Sequence, residues 1–87
     1  MTARQAEEVK GISTELVCEF EQGGSPKIVT FNGSGQHGDV YVNLNGVCDV
    51  EKGVLLSLNG VSIPAGYVGE LEARIEAFKT QIASDQG

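Results

Sequence analysis

Apolar residues recur along this chain with two different periods, and the change of period divides it. From Thr14 to Glu21 the period is two: Leu16, Cys18 and Phe20 alternate with Glu15, Glu19 and Glu21, with Val17 an exception on the outer side. That is the pattern of a strand with one buried face. From Tyr67 to Ala83 the apolar residues Val68, Leu71, Ile75, Phe78 and Ile82 follow one another at gaps of three and four. This spacing lays them along one side of an α-helix and puts Glu70, Glu72, Arg74, Glu76, Lys79, Thr80 and Gln81 on the other. Glu70 and Glu72 suit the positive end of that helix and Lys79 its negative end, while Glu70 and Arg74 make an i,i+4 pair.

Between these two segments the chain reads as further β-structure. Gln22-Gly23-Gly24-Ser25-Pro26 supplies turn residues, and Lys27–Phe31 returns as a second strand with Glu21 facing Lys27. Asn32–Asp39, NGSGQHGD, holds three glycines in eight residues and is expected to be a loop. Val40–Val47 (VYVNLNGV) and Val54–Val61 (VLLSLNGV) then form a weak repeat, with five of eight positions shared at an offset of 14. Both contain Leu-Asn-Gly, and Phe31-Asn32-Gly33 echoes it. Asn-Gly favours tight hairpin turns, so each recurrence is expected to end a strand. Turns at Asn45-Gly46-Val47, Glu51-Lys52-Gly53 and Asn59-Gly60 pair Leu44 with Cys48, Val50 with Val54, and Leu58 with Val61. Those registers put Val40, Val42, Leu44, Cys48, Val50, Val54, Leu56, Leu58, Val61 and Ile63 on one face.

At the other end, Thr2–Lys10 reads as a short helix or a frayed tail. Thr2 and Gln5 fit a capping box, Gly11 fits a helix C-cap, and Ala3, Ala6 and Val9 share a side. The expected fold is α+β: an antiparallel meander of about five or six short strands packed by one long C-terminal helix. It forms a single domain over residues 1–87, with 1–11 the short helix or tail, 12–63 the sheet and 64–87 the helical segment.

Composition narrows the function. Twelve acidic residues against 6 basic ones give a net charge of -6, a surface that repels phosphate. Direct nucleic-acid binding and anionic-membrane binding are therefore not expected. The longest uncharged stretch, Gly53–Gly69, is interrupted by Pro64 and by glycines, and is too short to span a bilayer. Glu7 and Glu8 fall where the apolar run of a secretory signal would lie, so the expected location is cytoplasmic. Cys18 and Cys48 form no C-x-x-C and are read as two buried free thiols.

His37 is the only histidine, and no nucleophile–base constellation assembles around it. No enzyme activity, metal or cofactor is expected. The 33–38 stretch resembles a phosphate-binding loop only in its glycines, for it has no lysine and opens no helix. In size, acidity and lack of catalytic residues the chain is similar to accessory and inhibitor proteins encoded by phages and mobile elements. The expected role is a homo-oligomeric interaction protein that binds, blocks or scaffolds another protein. A sheet of five or six strands is about 24–29 Å wide, whereas a helix covers about 10–12 Å. The interface is therefore assigned to the helix stripe, Val68, Leu71, Ile75, Phe78 and Ile82. The alternative is a small-ligand site, for a nucleotide among other candidates, at Asn32, Ser34, Gly35, Gln36, His37 and Asp39.

Overall fold

The computed structural model describes residues 1–86; Gly87, included above in the helical segment, lies outside the described residues. Five strands, β1 (Thr2–Val9), β2 (Ile12–Glu19), β3 (Ile28–His37), β4 (Val40–Asp49) and β5 (Val54–Val61), precede one helix, α1 (Tyr67–Gln86). The strands form one antiparallel sheet in chain order, so every connection is a hairpin and none crosses over. The fold is α+β, with α1 packed on one face of the meander.

Residues 2–9 form a strand, where a short helix or tail was expected. Lys10 and Gly11, with φ of 52° and 79°, make a two-residue turn that pairs Val9 with Ile12. Positive φ at both positions matches the right-handed twist of the flanking strands. Gly11 thus supplies a hairpin turn and not a helix cap. The odd residues of β1 face α1, and Val9 is buried there.

β2 carries the expected alternation, begins two residues earlier at buried Ile12 and ends at Glu19, with Thr14 buried as well. Its partner arrives one residue out of the expected register: Leu16 pairs with Phe31 and Cys18 with Val29, so Glu21 and Lys27 are not opposite each other. This slip is what brings Val29 and Phe31 onto the buried face. β3 then runs through the expected loop to His37, and the turn shrinks to Gly38-Asp39.

The Asn-Gly pairs also lie inside strands and do not end them. β4 is continuous across Asn45-Gly46 and β5 across Asn59-Gly60, so the meander has five strands, within the five or six expected, each longer than the turn assignments implied. The β4–β5 loop closes with Asp49 opposite Val54, and Asp49 holds it: its carbonyl accepts from Gly53 N at 2.9 Å and its Oδ1 from Lys52 N at 2.9 Å. A bulge near Val47/Cys48 shifts the β4–β5 register by one residue. Leu55 is consequently turned inward and half-buried, while Val54 and Leu56, expected inside, are exposed. Leu58 stays half-buried as expected, Val61 is turned out because β5 runs on past Asn59-Gly60, and Val40, also expected inside, is exposed at the start of β4.

The core gathers Val9, Ile12, Leu16, Cys18, Val29, Phe31, Val42, Leu44, Cys48 and Val50 from the sheet with Tyr67, Leu71, Ile75, Phe78 and Ile82 from α1. Tyr67 starts the helix fully buried. Its hydroxyl lies 2.7 Å from Thr14 Oγ1, which gives its one proton to the Ile12 carbonyl, so Tyr67 donates. Burial pushes the Tyr67 phenol pKa upward. The helix then runs from the β1–β2 turn, where Glu70 Oε2 accepts from Lys10 N at 3.1 Å, to the far end of β4, where Lys79 Nζ donates to the Val50 carbonyl at 3.0 Å.

Candidate interaction surface

The helix stripe assigned above to a chain–chain contact is placed against the chain's own sheet. Leu71, Ile75, Phe78 and Ile82 are each at most 4% exposed, and Val68 is half-buried against the same core. Helix and sheet bury these side chains because the narrow stripe packs on the apolar face that β1–β4 present. What the helix leaves bare is the far side of the sheet.

The six residues of the alternative ligand site do not converge. Alternation along β3 sends Asn32, Ser34 and Gln36 to the exposed face, turns Gly35 to the other face, and leaves His37 and Asp39 at the hairpin tip. Glycine stands at 33 for a packing reason. A Cβ there would lie 2.9 Å from the Tyr67 hydroxyl and 3.0 Å from Thr14 Oγ1. Of the three glycines that suggested a loop, Gly33 is where the strand makes room for a neighbour, and Gly38, at φ 67°, belongs to the hairpin turn.

The bare region centres on β5. Val54–Val61 contains no acidic or basic residue and no proline, and no residue of the strand is fully buried. β5 stands last in the strand order, so it is hydrogen-bonded along one side only. Val54, Leu56 and Val61 are 46%, 55% and 60% exposed, and Tyr41, near Val61 across the hydrogen-bonded strands, is exposed as well. Across β3, β4 and β5 the only Asp, Glu, Lys or Arg is Asp49. An uncharged, unprotected, apolar edge is a template for pairing with another strand.

The repeat has a structural meaning on this surface. Asn32 pairs with Asn45, and Asn45 with Asn59, so the three asparagines form one exposed row across β3, β4 and β5. Between β3, β4 and β5 the large residue of each copy of the motif sits opposite a glycine on the buried face: Phe31 opposite Gly46, Leu44 opposite Gly33 and Gly60, and Leu58 opposite Gly46. A Cβ on Gly46 would meet the Phe31 ring at 2.5 Å and would also collide with the Ser57 carbonyl oxygen. The aromatic ring occupies the space the glycine vacates, as in other glycine-containing sheets. The motif, expected from sequence to supply turns, lies within strands. The missed signal was spacing: the midpoint of Asn32 and Asn45 falls between Gly38 and Asp39, and that of Asn45 and Asn59 falls on Lys52, where the turns are.

The remaining reactive groups are held in the core. Cys18 and Cys48 are free and buried. Both sit on the row Cys18, Val29, Cys48, two strand spacings or about 10 Å apart, beyond disulfide reach. Burial raises the Cys18 pKa, opposed by a backbone hydrogen bond at Lys27; burial raises that of Cys48, reinforced by Glu72, Asp49 and Glu76. Both thiols are therefore kept in the unreactive protonated form. Among the described residues no group of three or more His, Cys, Asp or Glu side chains is placed to hold a metal ion, and no helix is long and apolar enough to cross a membrane. No protein-family model, curated protein or solved structure matches the chain.

Proposed function

We propose that this is a small acidic, non-enzymatic interaction protein that works as a homo-oligomer in the cytoplasm and binds, blocks or scaffolds another protein. An accessory or inhibitor role of the kind phages and mobile elements encode fits that reading. The observation that carries it is the β5 edge: eight consecutive uncharged residues, hydrogen-bonded to the sheet along one side only and none of them fully buried. Natural sheets normally blunt such an edge with charge, proline or a covering element. Its retention on a chain of net charge -6 has a physical use, because two copies can meet there without bringing carboxylates together. The surface a second copy meets is then the sheet edge, the helix stripe being occupied.

Light scattering at micromolar to millimolar concentration tests this reading. The wild type is expected to exceed the 9.2 kDa monomer mass, and Leu56→Lys to return it to monomer with stability changed by about 0.5 kcal/mol or less, as for an exposed site. A wild type that stays monomeric throughout would falsify the proposal.

A further inference from the structure

The motif that builds the inner half of the sheet is self-complementary, and its last copy is left half-used at the open edge. Written along a strand it is large apolar–Asn–Gly. Laid antiparallel against itself it puts Asn opposite Asn and a large residue opposite glycine on both sides. This happens between Phe31-Asn32-Gly33 and Leu44-Asn45-Gly46, and again between Leu44-Asn45-Gly46 and Leu58-Asn59-Gly60. Gly46 consequently has a large residue on each side, Phe31 on β3 and Leu58 on β5. Gly60 has only one, Leu44, and is itself exposed, while Leu58 is half-buried.

Resting on the self-association reading, the geometry points to a second copy of this chain as the occupant of the β5 edge, in a register with its two-fold axis at Asn59. In that register Asn59 faces Asn59 of the second copy, and each Leu58 lies over the other copy's Gly60. Gly60 then acquires the surroundings that Gly46 has within one chain. The row of three asparagines becomes a row of six across a continuous ten-stranded sheet. Pairing runs from Leu56 to Ser62, the latter at φ 58°, where the strand ends. No charged residue lies in that span, so the axis brings no like charges together. An antiparallel pair about a two-fold axis is the isologous contact by which most homodimers close, and it leaves no open β5 edge for further growth.

Single cysteines read the register directly. Asn59→Cys places two thiols opposite each other at a Cβ separation of roughly 5 Å, within reach of a disulfide after small adjustment. Val54→Cys places them about 34 Å apart, five residues on either side of the axis. Under a mild oxidant, Asn59→Cys is expected to form a covalent dimer, whereas Val54→Cys and the wild type, whose own thiols are buried, are not. Charge gives an independent reading: Asn59→Lys should raise the dimer dissociation constant at least tenfold, and Asn32→Lys, on the same row but inside the sheet, less than twofold. A dimeric mass with cross-linking at Val54→Cys, with none at Asn59→Cys, or with equal effects of the two lysines overturns this register and leaves self-association standing. A monomeric wild type overturns both.

Discussion

At one edge of the sheet, β1 carries Arg4, Glu7 and Glu8; at the other, β5 carries no charge at all. Arg74 of α1 reaches Glu7 at 3.3 Å and, less closely, Glu70 at 3.9 Å. Arg4 pairs with Glu15 at 3.4 Å on the outer face, an exposed contact worth little in energy. The amino terminus is fastened too, with Met1 N donating to the Phe20 carbonyl at 2.7 Å and Phe20 N to the Met1 carbonyl at 2.9 Å. β1 is thus closed by charge and by the helix above it, and β5 by neither. The contrast shows that the helix does two jobs: it completes the core over one side of the sheet, and by lying there it leaves the other side open.

The largest effects should separate core from edge. Ile75→Lys and Phe78→Glu each bury a charge without a partner and are expected to cost more than about 3 kcal/mol, unfolding the chain in a denaturant titration followed by circular dichroism. Retention of a folded monomer by either variant would show that the stripe is dispensable to the fold and return it to consideration as an interface.

A smaller and more local difference should appear at two glycines. Gly46→Ala sets a methyl against the Phe31 ring and a fixed backbone oxygen, with strands on both sides, and is expected to cost about 2–3 kcal/mol. Gly60→Ala meets Leu44 Cβ at 2.7 Å and the Asn43 carbonyl oxygen at 2.8 Å, but on an edge strand that can yield. About 1 kcal/mol or somewhat more is expected there, measured on monomer at low concentration. Equal costs would mean that β5 is as firmly held as β4.

These residues also explain what the sequence made legible. β2 and α1 were readable because large side chains alone carry their periods: Leu16 and Cys18 at spacing two, Leu71, Ile75, Phe78 and Ile82 at three and four. β1 was not, because Ala3, Ala6 and Val9 match helical spacing, while the strand's buried face is made by Ala3, Gln5, Glu7 and Val9 under the helix. β3 was hidden for a different reason. Its inward positions 33 and 35 are glycines, the first required by the Tyr67 hydroxyl across the core, and glycine carries no hydrophobic signal. The β5 surface depends on the bulge that turns Leu55 inward and Leu56 out, a one-residue event that no periodicity announces.

The contrast between the edges can be read in one experiment, amide hydrogen exchange resolved by residue at micromolar and at millimolar concentration. The β5 amides between Leu56 and Val61 that point away from β4 should exchange quickly when dilute and become protected when concentrated, while the outward amides of β1 exchange alike at both concentrations. Protection that does not change with concentration at β5, or that changes at β1 instead, would contradict the account.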